Sequence, residues 1–254
     1  MKAILLGTGT SQGVPVIGCK CAVCCSTNPK DKRFRTSAFI TDGNTSVLID
    51  CGPDLRMQML RNKIDKLDAI VVTHEHNDHI IGLDEIRPFN FRQNIIMPIY
   101  ATEKVKQEFY TRFHYAFVKE PYPGAPRAKI INLEVNEAFS IAEIPFLPIV
   151  ADHGGLEVLG FRIGELTYLT DIKTIPKDQM ELIKGTKYLV LNALRREVHH
   201  SHLSLAEALE IIEIIQPQEA YLVHISHHMG LSEVVNAELP AHVKLGYDGQ
   251  VIEW

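Results

Sequence analysis

The chain has 254 residues, of which 46% are hydrophobic and 22% are charged, and its formal net charge at pH 7 is −5. This composition excludes a disordered chain, and no apolar run approaches the ~20 residues that a membrane-spanning helix needs. The negative charge argues against a protein that coats nucleic acid. Residues 1–13 predict a strand and a Gly-rich loop rather than a secretory signal, so we expect a cytoplasmic protein with one domain over residues 1–254.

Short β-branched runs alternate with amphipathic segments along the chain. A hairpin with Asp42 and Gly43 in its turn connects the second and third predicted strands. The predicted strands are 3–6, 37–41, 46–49, 69–72, 129–132, 158–163, 166–169, 188–191, 220–223, 243–245 and 251–253. The predicted helices are 53–62, 102–110, 177–184, 204–215 and 231–237. Many strands mixed with fewer helices indicate a layered α/β protein with mixed sheets.

Residues 86–128 differ in composition from the rest of the chain. They hold seven Lys and Arg against three Asp and Glu, and nine of the eighteen Phe and Tyr residues. Such a segment is either surface variation with its own small core, or a basic insert that closes over an anionic substrate or mediates dimerisation. We therefore expect an aromatic and basic insert at 86–128 and consider a homodimer as a candidate assembly.

Cysteine and histidine are both concentrated in short segments. Four of the five cysteines lie within seven residues, namely Cys19, Cys21, Cys24 and Cys25. They are too few and too clustered for a disulfide framework, and without a predicted secretory signal they indicate a metal site. Most of the twelve histidines fall at 74–79, 199–202 and 224–228.

The strongest motif is H-x-H-x-D-H, formed by His74, His76, Asp78 and His79 directly after a predicted strand. Alternation along an extended segment would direct His74, His76 and Asp78 to one side. Four imidazole and carboxylate ligands aimed into one space can hold two cations when remote residues complete the set. A single structural zinc usually has four ligands that include thiolates, so this set of imidazoles and a carboxylate does not indicate one.

This motif resembles the fingerprint of the metallo-β-lactamase superfamily, which implies an αββα sandwich with two mixed β-sheets. Three further ligand positions follow in the order of that family, each after a predicted strand: His153, Asp171 and His224. The ligand set that the resemblance implies is His74, His76 and His153 for one cation, Asp78, His79 and His224 for the other, and Asp171 as the bridge. Asp50 matches the acid that orients a ligand imidazole in this family, with a turn-capping role as an equal alternative.

Three of the clustered cysteines predict a second metal site. Cys19, Cys21 and Cys24 leave one position open on a tetrahedral zinc, and His227, three residues beyond His224, can fill it. We therefore predict a structural Zn²⁺ that joins the loop at 18–27 to the last ligand strand. Cys25 in place of Cys24 is an alternative ligand, and a reduced cysteine cluster without metal is the alternative to the zinc.

A well-specified helix begins next to His202. Ser204 and Glu207 form an S-x-x-E capping box, and the positive end of the helix dipole is a natural place for a phosphate. Residues 201–204 resemble the histidine motif of the phosphodiesterase and ribonuclease Z branch. With the loop at 7–15, the cysteine triplet and residues 82–89, they resemble the phosphoribosyl cyclic-phosphate phosphodiesterases of the carbon–phosphorus lyase pathway. The loop at 7–15 is also a candidate phosphate-binding loop, but Gly-rich turns are common and the pattern alone is not specific for phosphate.

The resemblance implies a dinuclear metal-dependent phosphodiesterase that hydrolyses a small, cyclic phosphodiester. A hydroxide shared by two cations would attack phosphorus, and His202 would stabilise the developing charge or protonate the leaving oxygen. Asp78 is then both a ligand and a catalytic residue. The expected cofactors are two divalent cations, manganese or zinc with iron as a third option, and one structural Zn²⁺. The expected partner is the small substrate, and neither a membrane nor a nucleic acid is expected.

Three other functions stay open at this point. Ribonuclease Z-like 3′ processing of transfer RNA shares the ligand set, but the net negative charge and the lack of an obvious basic arm argue against it. A glyoxalase II-like thioester hydrolase is disfavoured by His202 and the cysteine triplet. A metal-binding adaptor without catalysis is disfavoured by the complete ligand set.

Overall fold

The computed structural model describes residues 1–135 and 137–254, and in this part of the chain fourteen strands form two sheets of seven strands each. Strands β1 to β6 are Lys2–Gly7, Ser37–Thr41, Ser46–Ile49, Ala69–Val71, Met97–Ala101 and Ala128–Asn132. Strands β7 to β14 are Phe139–Ile141, Ile144–Asp152, Glu157–Ile163, Leu166–Leu169, Tyr188–Asn192, Glu219–Val223, Val243–Leu245 and Gln250–Glu253. The strand orders are β14-β1-β2-β3-β4-β5-β6 and β13-β12-β11-β10-β9-β8-β7.

Both sheets are mixed. In the first, β3 to β6 pair in parallel, and β14, β1, β2 and β3 pair antiparallel. In the second, β10 to β13 are parallel and the hairpins of β7 to β10 are antiparallel. Parallel neighbours need crossover connections, and helices supply most of these.

The α-helices in the described residues are all short. Helices α1 to α5 are Ala22–Cys25, Leu55–Arg61, Asn77–Ile80, Arg87–Gln93 and Glu103–Arg112. Helices α6 to α9 are His114–Phe117, Lys177–Ile183, Leu205–Ile215 and Ser232–Glu238. Pro29–Asp31 and Leu83–Ile86 form single 3₁₀ turns. None of the helices in the described part of the chain is long and apolar enough to cross a bilayer.

Three apolar cores separate four layers, because successive residues of a strand face opposite sides of its sheet. On β1, Ala3 and Leu5 pack between the two sheets, whereas Leu6 packs outward against the helices that cover the first sheet. On the other side, Ala208 and Ile212 of α8 pack against the outer face of the second sheet. The order helix, sheet, sheet, helix is the αββα sandwich that the sequence predicted.

Every predicted strand and helix is present, and its bounds agree with the structure to within two residues. The prediction missed β5, β7 and the first part of β8, of which it had only the end directly before His153, and it missed the helices α1, α3, α4 and α6. Pro98 lies in β5, and Pro145 and Pro148 lie in β8, and proline is unusual inside a strand because it cannot donate to the ladder. The expected insert at 86–128 needs a correction as well, since β5 belongs to the first sheet and only residues 102–127 form an excursion between β5 and β6.

Candidate metal centre

Polar residues follow the ends of strands from both sheets and meet at one end of the sandwich. Asp50 follows β3 and His74 comes shortly after β4 in the first sheet. In the second sheet, His153 follows β8, Asp171 comes two residues after β10, and His224 follows β12. The two sheets therefore supply the two sides of one site.

Three of these residues have unusual backbone conformations. Asp50, Asp171 and His224 have φ values of 64°, 56° and 55°. A positive φ places Cβ close to the backbone and is sparsely populated by residues other than glycine. Such conformations persist where the surrounding structure imposes them, and they cluster at functional sites. Here they turn the chain sharply, so that each side chain leaves its strand end towards the centre of the cluster.

The H-x-H-x-D-H segment forms a loop and a helical turn rather than an extended strand. β4 ends at Val71, and the N–H of His79 donates to the carbonyl of His76 (3.0 Å) at the start of α3. The predicted alternation of His74, His76 and Asp78 is therefore wrong in its geometry. The turn nevertheless brings the rings together, with centroids of His74 and His79 4.1 Å apart.

Asp171 lies at the centre of the cluster. Its carboxylate oxygens lie 3.3 Å from Nε2 of His79, 2.9 Å from Nδ1 of His224 and 3.7 Å from Nδ1 of His202. Oδ2 of Asp78 is also 3.3 Å from Nε2 of His79. A single carboxylate that faces three imidazoles is placed as a bridging ligand would be.

The chemistry of these atoms fits divalent cations. The nitrogens of His79, His202 and His224 that face Asp171 are buried, and within residues 1–135 and 137–254 they face carboxylate oxygens of Asp171 and Asp78. Imidazole nitrogens gathered around carboxylate oxygens are a donor set that suits divalent cations. Three overlapping groups have their ligand atoms within 4.8 Å of one another: His74, His76 and His153; His74, His79 and Asp171; and His153, Asp171 and His202.

The outward-facing nitrogens of the imidazoles are held by the protein. Nδ1 of His79 donates to Asp50 (2.7 Å), and Nδ1 of His153 donates to the carbonyl of Ser201 (2.6 Å). Nδ1 of His74 donates to the hydroxyl of Thr73 (3.0 Å), which itself donates to Asp50 (2.9 Å). Each contact holds one nitrogen of the ring and leaves the other nitrogen facing the centre. Asp50 thus contacts an imidazole directly, as the resemblance implied.

Charges in the metal-free centre are strongly coupled. Burial lowers the pKa of His79, but Asp171, Asp50 and Asp78 together hold it well above its usual value. Burial raises the pKa of Asp171, but His224 and His79 hold it well below its usual value. A protonated His79 therefore compensates the carboxylates, and cation binding has to displace that proton.

His202 lies beside the same cluster. Its ring centroid is 4.5 Å from that of His153 and 4.6 Å from that of His224. Burial, followed by the charge of His224, lowers the pKa of His202 to about 2, so the ring is neutral without metal. The structure thus puts His202 within reach of a bound substrate and also within reach of a cation.

The capping box beside His202 is confirmed. The hydroxyl of Ser204 accepts from the N–H of Glu207 (3.3 Å), and the Glu207 carboxylate accepts from the N–H of Ser204 (2.8 Å). However, the N–H of Leu205 already donates to the carbonyl of Arg195 (2.8 Å). The N–H groups of Ser204, Leu205 and Glu207 are therefore already used, and these three cannot hold the phosphate expected at this helix terminus.

The cysteine cluster forms a separate group. Sγ of Cys19 and Sγ of Cys21 lie 3.3 Å and 3.4 Å from Nδ1 of His227, and Cys24 completes a set within 4.8 Å. The N–H of Cys24 and the ring of His227 lower the pKa of the Cys21 thiol to about 6. Cys25 is exposed and lies outside this set. Three sulfurs and one imidazole nitrogen are a donor set suited to tetrahedral zinc.

Sequence comparisons place the chain in a family. A family profile described as the beta-lactamase superfamily domain matches residues 45–225. A protein of Porphyromonas gingivalis named octanoyltransferase is 43% identical over 251 residues, covering 98% of this chain and 51% of that protein. A ribonuclease Z of Listeria monocytogenes is 28% identical over 171 residues, covering 65% of this chain and 49% of that protein. The chain spans about half the length of the curated relatives it matches.

Solved structures extend the likeness to the whole fold. A crystal structure described as a new diphosphatase from the PhnP family has a TM-score of 0.93 and 39% identity, covering 100% of this chain and 97% of that one. Zn²⁺-bound PqqB from Methylobacterium extorquens has a TM-score of 0.83 at 17% identity over both full chains, which is a likeness of fold alone. The chain belongs to the metallo-β-lactamase superfamily, with the fold and the His/Asp cluster of a metal-dependent hydrolase that resembles the PhnP family.

Proposed function

We propose that this chain hydrolyses a small phosphodiester, preferably a cyclic one, at a dinuclear metal centre. The proposal depends mainly on the arrangement of three imidazoles, with buried nitrogens, around the carboxylate of Asp171. The 39% identity to a PhnP-family diphosphatase over the whole chain supports phosphoryl chemistry rather than the other reactions of this superfamily.

The ligand assignment is the one that the resemblance implies. His74, His76 and His153, whose ligand atoms lie within 4.8 Å of one another, hold one cation. Asp78, His79 and His224 hold the other, and Asp171, which lies beside His79 and His224, bridges them. When bound, two divalent cations would supply an activated water nucleophile near neutral pH and neutralise charge on the phosphate oxygens. The identity of the ions is manganese or zinc, with iron as a third option.

The protein's own groups orient the reactants. Asp50 and Thr73 hold the imidazoles of His79 and His74, so that these ligands need little rearrangement when a cation binds. The neutral ring of His202 lies beside Asp171 and acts on the leaving oxygen or on the charge that develops at phosphorus. The cysteine cluster with His227 binds a structural zinc and ties the N-terminal loop to the segment that carries His224.

A second candidate reaction is cleavage of a diphosphate bond. The similar structure is described as a diphosphatase, and the same centre can neutralise a phosphate leaving group, released when the P–O–P bond breaks, as well as an alkoxide. Transfer-RNA processing is less well supported, since the ribonuclease Z relative matches only 65% of this chain and the net charge is negative.

A substrate panel tests the proposal. Protein loaded with manganese or zinc and analysed for metal would be assayed with ribose cyclic phosphates, cyclic nucleotides, nucleoside diphosphates, precursor tRNA and an octanoyl thioester. The thioester is included because the P. gingivalis relative is named an octanoyltransferase. We expect the highest kcat/KM on a cyclic phosphodiester, and Asp171→Asn as the matched control should abolish it. Turnover of the thioester alone, or of precursor tRNA alone, would contradict the proposal.

A further inference from the structure

The Gly-rich loop at 7–15 uses its backbone donors within the protein. The N–H groups of this loop donate as follows: Thr8 to Asp248 (2.9 Å), Gly9 to the carbonyl of Phe34 (2.8 Å), Thr10 to the carbonyl of Ile225 (3.1 Å) and Val14 to the carbonyl of Arg33 (2.9 Å). A loop that grips phosphate needs free N–H groups. Phosphate binding by these four N–H groups is therefore excluded, and the contacts of the loop's side chains indicate another role.

The loop contacts the metal centre through one side chain. Oγ1 of Thr10 lies 3.1 Å from Nε2 of His224, and both residues are buried, with 8% and 1% of their surfaces exposed. The other nitrogen of the ring, Nδ1, lies 2.9 Å from the bridging candidate Asp171. The imidazole of His224 is thus held at one edge by a hydroxyl and presented at the other edge to the centre.

A buried network makes this contact rigid. The guanidinium of Arg33 donates to the hydroxyl of Thr8 (2.7 Å), and the N–H of Ile225, the residue after His224, donates to the carbonyl of Thr8 (2.9 Å). The N–H of Thr10 returns a hydrogen bond to Ile225 (3.1 Å). The backbones on either side of the contact are therefore locked together, and the hydroxyl of Thr10 has a fixed position relative to His224.

We propose that Thr10 is a positioning residue for the metal centre, which fixes the tautomer and the ring orientation of His224. With a cation at Nδ1, its hydroxyl would accept the Nε2–H proton, so that the Nδ1 lone pair faces the cation beside Asp171. This inference rests on the proposed dinuclear site but not on any particular substrate. Asp50, Thr73 and the carbonyl of Ser201 already serve His79, His74 and His153 in the same way, and Thr10 completes the set for His224.

The test removes the hydroxyl and keeps the shape of the side chain. Thr10→Val deletes the acceptor, and Thr10→Ser retains it. Thr36→Val is the matched control, because the Thr36 hydroxyl is buried and donates to the carbonyl of Gly9 (2.8 Å) in the same loop without contacting His224. Thr10→Ala serves as a second deletion if the valine variant does not fold.

Zinc and manganese affinities would be measured by calorimetry on metal-free protein, without substrate, together with ¹⁵N chemical shifts of the histidine rings. We expect Thr10→Val to weaken binding of one of the two cations about 10- to 100-fold, the range for lost partners of metal ligands, and to mix the tautomers of His224. Thr10→Ser and Thr36→Val should keep wild-type affinity and tautomer.

Wild-type affinity for both cations in Thr10→Val, or an equal loss in Thr36→Val, would overturn the role of Thr10. Wild-type protein that binds no cation pair at all would instead overturn the proposed dinuclear site. Because substrate is absent from the measurement, a wrong substrate assignment changes neither result.

Discussion

Replacing His202 with alanine tests the most specific part of the proposed mechanism. The ring lies beside Asp171, with Nδ1 3.7 Å from the carboxylate. Burial lowers its pKa to about 2, so the ring must take up a proton together with the anionic phosphate before it can pass one to the leaving oxygen. If His202 assists departure of the leaving oxygen, His202→Ala should lower kcat by about 10²–10⁴, the range for a lost acid–base group. This corresponds to about 3–5 kcal/mol in the activation free energy.

The leaving group separates acid–base assistance from binding. Bis-p-nitrophenyl phosphate releases a weakly basic phenolate that scarcely needs a proton, whereas a cyclic phosphodiester releases an alkoxide that does. We therefore expect a smaller loss of kcat on the nitrophenyl ester than on the cyclic ester, measured on variant protein with a verified metal content. His199→Ala is the matched control, because its ring centroid is 5.2 Å from that of His202 on the same loop.

Three results would refute this reasoning in different ways. Equal losses on both esters would show that His202 binds the phosphate without moving a proton. A loss of one cation per chain would show that His202 is a ligand, which its grouping with His153 and Asp171 permits geometrically. Unchanged kcat on both esters would remove His202 from the mechanism altogether.

Three further substitutions test the centre and the cysteine cluster. Asp171→Asn should weaken cation binding about a hundredfold or more, because loss of the buried carboxylate leaves the cations and imidazoles around it without a compensating charge. Full metal content by elemental analysis would show that Asp171 is not the bridge. Asp50→Asn should weaken cation binding about 10- to 100-fold by freeing the ring of His79, and a wild-type binding isotherm would contradict that role. Cys21→Ser should remove one zinc per chain and lower the Tm with little change in kcat. In wild-type protein stripped of metal, alkylation of Cys21 should rise through a midpoint near pH 6 and be blocked by zinc, as followed by peptide mass spectrometry.

The parts of the site that could be predicted from sequence are those with a local signature. The spacing of His74, His76, Asp78 and His79 marks the centre, and Ser204 with Glu207 marks the start of α8, because a capping box is encoded within four residues. The prediction of the centre holds although the assumed extended backbone was wrong, because ligands one to five residues apart can meet in a loop as readily as in a strand.

The parts that could not be predicted depend on the tertiary structure. Pro98 and Pro148 interrupt the patterns of β5 and β8, and only pairing with neighbouring strands makes these segments extended. Thr10 carries no signal in the sequence, because its partner His224 is 214 residues away. Likewise, the occupied N–H groups of the loop at 7–15 become visible only when the segments around Arg33 and Asp248 are packed against it.

Strand order has a consequence for how the protein is made. β1 lies between β2 and β14, so it gains its second neighbour only after residues 250–253 have been synthesised. The anchor of Thr8 is Asp248, 240 residues further along the chain. Pairings of such large sequence separation are slow to form and cannot be completed before both segments have been made. The loop at 7–15 therefore stays without its anchor, and one edge of β1 stays exposed, until residues 248–253 are available.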